Sequence, residues 1–285
     1  MTTSAHYDTI VLSGNSTNAV VTMGGIQVLQ DKGQLTRLKY YVGTSSGSIL
    51  GCLMSVGYTP LEILCYLCVN KPYSKIKGLD ISNLLGPTSG GGMISFEPIA
   101  EELRILFTNK LGFVPTLKQI DVLFDKIVIL VTYNLTKQER MYIRASTHPD
   151  LSVIDAIHMS SNFPFVFDHF CYENDYYVDG GIVDNFPVEY SETLGKKCIG
   201  FHTVNEVSPF SIHDSHLEYI RKLFFTFIQI YVEDKIDRAT HTDVVTLKHP
   251  PNFFNFESSV NSLIQLFDQG YDQTCNLFSG SFKNE

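Results

Sequence analysis

Of the chain's 285 residues, 44% are hydrophobic and 18% charged, a balance that supplies a globular core and excludes a disordered chain. The formal charge of −9 excludes nucleic acid as a main partner, because phosphate recognition needs clustered Lys and Arg. It also argues against general attraction to anionic membranes, leaving only local, transient surface contact.

The polar stretch Met1 to Asp8 lacks the apolar segment of a signal peptide, and no window approaches the ~18 apolar residues of a membrane span. Cys52, Cys65, Cys68, Cys171, Cys198 and Cys275 are scattered through a core-forming chain, as reduced thiols are. These features predict a cytoplasmic protein, at most peripheral to membranes, with no transmembrane segment.

Tyr7 to Leu12 is a β-branched run predicted as the first strand. The small polar residues after it predict a turn into a helix from about Ala19 to Lys32, with Gly33 as C-cap. Lys39 to Val42 predicts a second strand, running through Gly43-Thr44-Ser45-Ser46-Gly47 into a small-residue helix, Ser48 to Val56. Thr59-Pro60-Leu61-Glu62 has the form of a capping box with proline at the first helical position. Asn70 to Ser95 reads as a long loop, with Gly90-Gly91-Gly92, and is a candidate flap over the site.

Further on, the pattern predicts a helix at Pro98 to Asn109, an apolar strand at Lys126 to Tyr133 and its hairpin partner at Arg140 to Arg144. Ser152 with Asp155 caps a short helix ending at Met159, and Asp175 to Val178 leads as an extended segment into Asp179-Gly180-Gly181. A helix at Pro187 to Leu194 and a strand at Cys198 to His202 follow. Two amphipathic helices, His216 to Lys235 and Val260 to Leu277, flank a strand-like Asp243 to Leu247. Alternating strands and helices predict an α/β fold with a mainly parallel sheet. We expect one domain over 1–285, with a core at about 7–202 and a C-terminal helical extension at about 203–285.

Gly43-Thr44-Ser45-Ser46-Gly47 fits G-x-S-x-G, a sharp strand-to-helix turn that exposes its central serine. The flanking glycines remove side chains that would collide with crowded backbone, and the next helix points its N-terminal N–H groups at the same spot. Ser45 is the candidate nucleophile; Ser46 and Ser48 are read as capping or packing hydroxyls. For the base there are two readings. Asp179, at a strand end before Gly180 and Gly181, meets the condition that chemistry gathers at one end of a parallel sheet. Its ordinary pKa is low for a base, so the role requires a dry pocket. The rival is a triad using His202, the one histidine of five downstream that sits at a strand end. Asp184 suits helix capping.

Together these residues resemble the patatin-like phospholipase family, which uses a Ser–Asp dyad. Gly43-Thr44-Ser45-Ser46-Gly47 matches its elbow, and Asp179-Gly180-Gly181 continues as Ile182-Val183-Asp184-Asn185-Phe186-Pro187 much as in family members. The segment Ala156-Ile157-His158-Met159-Ser160-Ser161-Asn162-Phe163-Pro164 looks like the one preceding the family's aspartate. The resemblance covers about residues 7–202. It implies a three-layer α/β/α fold and a lipid acyl hydrolase, phospholipase A-like, cleaving carboxylic esters through Ser45, Asp179 and an acyl-enzyme, with no cofactor and no metal. The family's oxyanion turn, G-G-G-x-R/K-G, falls on Gly14-Asn15-Ser16-Thr17-Asn18-Ala19, where only the first glycine is kept and Asn18 stands at the basic position. Backbone N–H groups of Gly14, Asn15, Ser16 and Thr17, with that of Ser46, are the implied oxyanion donors. The departure motivates an alternative, a catalytically impaired family member that binds lipid or protein.

Two other features are read as structural. Cys65 and Cys68 form a lone C-x-x-C on an apolar helix, where packing outweighs zinc. The stripe Leu223 to Tyr231 is read as core by default, with a membrane- or substrate-facing surface as the alternative.

Overall fold

The computed structural model describes residues 6–72, 94–164, 166–195, 197–205, 211, 216–249 and 259–280. Most of the predicted flap, including Gly90-Gly91-Gly92, lies outside them.

The first strand, β1 (Thr9–Leu12), is β-branched at three of its four positions and fully buried. A 3-10 turn (Ser16–Asn18) leads into α1 (Ala19–Asp31). Then come β2 (Tyr40–Thr44), α2 (Ser46–Ser55), α3 (Pro60–Asn70), α4 (Glu97–Leu111) and α5 (Leu117–Phe124). The Thr59 capping box forms as expected: its side chain accepts from Glu62 N–H while Glu62 accepts from Thr59 N–H. β3 (Ile127–Asn134) and β4 (Glu139–Ile143) form the predicted hairpin, followed by α6 (Val153–Ser161). The rest is β5 (Phe170–Tyr172), β6 (Asp175–Asp179), α7 (Gly181–Asp184), α8 (Val188–Ser191), β7 (Cys198–Asn205), α9 (His216–Arg238), β8 (Thr242–His249) and α10 (Val260–Gly280).

The sheet runs β5-β6-β3-β2-β1-β7-β8, with β4 also on β3. β1, β2, β3, β7 and β8 are mutually parallel, giving the mainly parallel, three-layer α/β/α architecture. One junction positions the site. β3 pairs with β4 along one edge, and its other edge is shared end to end by β2 and β6. Thr44, the last residue of β2, sits opposite Val131; Asp179, the last of β6, sits opposite Thr132. Strand pairing alone therefore brings the ends of β2 and β6 together.

The larger core packs α1 to α6 and α10 against the sheet, and a smaller one, Val11, Phe186, Val188 and Val232, lies under α7 to α9. α10 lies on α1 at backbone contact: a Cβ on Gly24 would fall 1.9 Å from Phe267 O, and one on Gly270 1.9 Å from Val21 O. At these two contacts no side chain fits between the helices.

The α9 stripe departs from the default core reading. Leu223, Phe227, Ile230 and Tyr231 are 43%, 64%, 60% and 40% exposed, while Phe225 and Ile228 turn inward and Val232 is buried. Helical periodicity separates the two sets, so a dense apolar run covers both faces rather than one. Among the described residues no single helix is long and apolar enough to cross a membrane.

Candidate active site

Ser45 follows β2 and caps α2 with φ 55° and ψ −125°, a conformation that strains any residue with a side chain. The surroundings hold it there. Its N–H donates to Ser160 Oγ at 3.1 Å, and Ser160 Oγ donates to Val131 O at 2.6 Å. One residue earlier, Thr44 Oγ1 donates to Asp184 O at 2.8 Å. The elbow is also wedged against β1: a Cβ on Gly47 would lie 2.3 Å from Leu12 O, so only glycine lets α2 leave the sheet at this angle. Gly43 is likewise pressed against Gly47, with 2.6 Å to a built Cβ.

Asp179 is 1% exposed. Its Oδ1 accepts the Gly181 N–H at 2.6 Å, and its Oδ2 completes no well-formed hydrogen bond among the described residues. Burial pushes the carboxyl up to about 7, while the adjacent Ser45 hydroxyl and the Gly181 N–H pull the other way. The Ser45 hydroxyl is therefore near enough to favour the ionised form. Gly180 is packed against β3, where a Cβ would meet Val131 O at 2.3 Å.

The Gly14 turn is built differently from an open cradle. Gly14 N–H donates to Asn185 O at 3.1 Å, and Asn185 Nδ2 returns a bond to Gly14 O at 3.0 Å. Asn15 N–H donates to Ser46 Oγ at 3.0 Å, and that hydroxyl donates to Asn15 Oδ1 at 2.9 Å. Of the four predicted donor residues, Gly14 and Asn15 thus have their N–H groups taken. Those of Ser16 and Thr17 have no backbone acceptor among the described residues, nor has that of Ser46 at the start of α2. Ser16 carries the turn with φ 54°, a position a glycine would take without strain.

Ser45, Asp179, Gly14 to Thr17, Gly181 and Asn185 line one cavity of about 210 Å³. Its walls include Leu50, Leu53, Phe96, Leu103 and Phe167. His202 lines it too, but neither ring nitrogen has a partner among the described residues, so no triad linkage to Asp179 is present. Among the described residues no cluster of His, Cys, Asp or Glu is arranged to hold a metal ion.

Asp184 does not cap a helix, contrary to expectation. It ends α7 with its carboxylate fully buried, accepting from Lys235 Nζ at 2.7 Å and Tyr142 Oη at 2.6 Å, with Arg140 at 3.7 Å. The buried cation comes from α9, which local sequence could not reveal. Sequence reasoning also missed the Asn185 clasp and the Ser160 acceptor, although the Ser160-Ser161 pair was visible as a family-like feature.

A strained strand-to-helix serine facing a strand-end carboxylate, in a three-layer α/β/α fold, defines a class of protein. The chain belongs to the patatin-like phospholipase family, whose sequence profile matches residues 10–191. It is 32% identical over 187 residues to "Probable lipid hydrolase 463L" of Invertebrate iridescent virus 6, covering 65% of this chain and 63% of that protein. It is 25% identical over 198 residues to "Uncharacterized protein R571" of Acanthamoeba polyphaga mimivirus, covering 69% and 65%. The alignments thus span just under two thirds of these relatives. Among solved structures, VipD from Legionella pneumophila matches with TM-score 0.61 and 16% identity, over 96% of this chain and 67% of VipD. ExoU of the Pseudomonas aeruginosa type III secretion system, solved with SpcU, matches with TM-score 0.51 and 17% identity, over 98% and 54%. At these identities the structural likeness shows the fold alone.

Proposed function

We propose that this protein is a lipid acyl hydrolase in which Ser45 and Asp179 form the catalytic dyad. The observation that carries the reading is a buried Asp179, with no cation and no well-formed hydrogen bond to Oδ2 among the described residues, beside the hydroxyl of a strained serine. A carboxyl raised to about 7 is well matched to general-base work near neutrality. Asp179 takes the Ser45 proton as Oγ attacks the acyl carbonyl. The N–H groups of Ser16, Thr17 and Ser46 are the donors left to hold the tetrahedral oxyanion. Collapse expels the alcohol, which receives the proton from Asp179. Asp179 then deprotonates water, which attacks the acyl-enzyme and releases the acid and Ser45. No step calls for a metal or cofactor.

The apolar cavity wall supports a lipid acyl chain as the group bound. Exposed Leu223, Phe227 and Ile230 lie on the helix whose Phe225 and Ile228 line the cavity, which supports transient contact with a lipid surface. The free cysteines fit a cytoplasmic setting. We treat 1–285 as one domain, with a core near 7–202 and an extension near 203–285; β8 pairing with β7 and α10 seated on α1 support this.

A second reading, an inactive lipid- or protein-binding member of the family, is favoured by the bonded N–H groups of Gly14 and Asn15. A fluorophosphonate probe separates the two. Labelling that is lost in Ser45→Ala supports the hydrolase; a folded wild-type protein that stays unlabelled overturns it.

A further inference from the structure

Among the residues lining the Ser45 cavity, the polar atoms without a partner among the described residues include Asp179 Oδ2 and both nitrogens of His202. The first is accounted for by Ser45. The imidazole is not: His202 is 4% exposed, on β7, directly after Phe201, whose carbonyl accepts the Ser13 N–H at the mouth of the Gly14 turn. Its ring leans on Phe186 at 5.6 Å, a packing contact that satisfies neither nitrogen. Buried polar atoms are normally paired, so an empty imidazole beside a substrate cavity is a ligand's place.

The chemistry of the missing partner follows from the group. Burial, with His249 nearby, drops the His202 pKa to about 4, so the ring is neutral and offers one donor and one acceptor. A hydroxyl is both at once and complements it. A phosphate offers acceptors and negative charge, and calls for guanidinium, ammonium or imidazolium. Among the described residues no Lys or Arg lines the cavity, whereas the carboxylates Glu102 and Asp179 do. The lining includes apolar residues of α2 to α4, such as Leu53 and Leu103, and, from β7, β8 and α9, the polar residues His202, Thr203, Gln229 and His249 beside Val204, Phe225 and Ile228.

We propose that His202 anchors a leaving-alcohol subsite for an uncharged, hydroxyl-bearing alcohol, so that the preferred ester is a hydroxylated neutral lipid rather than a phosphorylated one. This rests on the acyl-hydrolase reading and assigns the acyl chain to the α2–α4 wall. His202 is a specificity residue here and takes no proton.

The test compares monodecanoylglycerol, decanoyl lysophosphatidylcholine and p-nitrophenyl decanoate, below their micellar concentrations, on wild type, His202→Phe and His202→Asn. Monodecanoylglycerol is the better lipid for wild type, and His202→Phe lowers its kcat/KM relative to the p-nitrophenyl ester by about tenfold, the worth of one good hydrogen bond. His202→Asn, which keeps a donor and an acceptor, recovers part of that ratio and carries the measurement should the Phe variant not fold. Calorimetry of monodecanoylglycerol on Ser45→Ala, with and without His202→Phe, reads the subsite without turnover and shows about tenfold weaker binding in the double variant. An unchanged ratio with unchanged binding, or preference for the lysophospholipid, overturns the proposal. Weakened binding in a protein with no Ser45-dependent turnover overturns the dyad and leaves the subsite standing.

Discussion

Asp179 and Asp184 stand five residues apart, both essentially without solvent contact, and they have opposite surroundings. Asp184 is held by a buried ammonium at 2.7 Å and a phenol at 2.6 Å. Asp179 has one backbone N–H, a serine hydroxyl nearby and, among the described residues, no cation. Equal burial thus leaves one carboxylate paired with Lys235 and pushes the other carboxyl up to about 7. The partner, not the depth, distinguishes the two.

Four measurements break or sharpen that contrast. The largest effect falls on rate: Ser45→Ala and Asp179→Asn each lower kcat/KM for a p-nitrophenyl ester by about 10³-fold or more, whereas a comparable loss in neither refutes the base assignment. Wild-type kcat/KM should climb with pH along an acid limb centred near 7, where Asp179 ionises. Next, Lys235→Ala takes the buried ammonium from Asp184, leaving it Tyr142 and the more distant Arg140, and costs about 3–5 kcal/mol in chemical denaturation. Replacing both partners, Lys235→Met with Asp184→Asn, should recover much of that, since no charge is left buried.

The third concerns stability against pH. Folding raises the Asp179 pKa from 3.8 to about 7, so the folded state holds the proton more tightly. Its contribution is fully present below the unfolded value and disappears as pH rises through the folded one. Asp179→Asn removes the dependence, so its stability advantage over wild type grows between about pH 4 and pH 8, on the order of 3 kcal/mol. A constant difference across that range contradicts the raised pKa. The smallest effect belongs to Tyr142→Phe, which deletes one bond to the Asp184 carboxylate and costs roughly 1.5–3 kcal/mol with no change in the pH profile of turnover.

What could be read from sequence divides along the same line. The elbow, the Asp179 turn, the Thr59 capping box and the β3–β4 hairpin are local patterns whose residues lie within a few positions of one another, and each forms where its residues predict it. α5 escaped notice although Thr116 and Gln119 make a second capping box, because only eight residues follow before Asp125 ends the helix in a left-handed conformation. β5 is three residues long, too short to show an alternation. Asp184 was misjudged because its partner is 51 residues away, on α9. The bonding of the Gly14 turn escaped for a related reason: Ser46, Asn185 and the turn meet only after three strands have paired.

The glycine contact between α1 and α10 has a consequence in time. The helix that continues from the Gly14 turn has its outer seat in residues 260–280, which are synthesised after every other described element. Until they emerge, the α1 flank at Val21 and Gly24 lacks its neighbour, whereas the Gly14 turn takes its bonds from Ser46 and Asn185. A chain cut before residue 260 would therefore lose the helix whose backbone meets α1 at both Gly24 and Gly270.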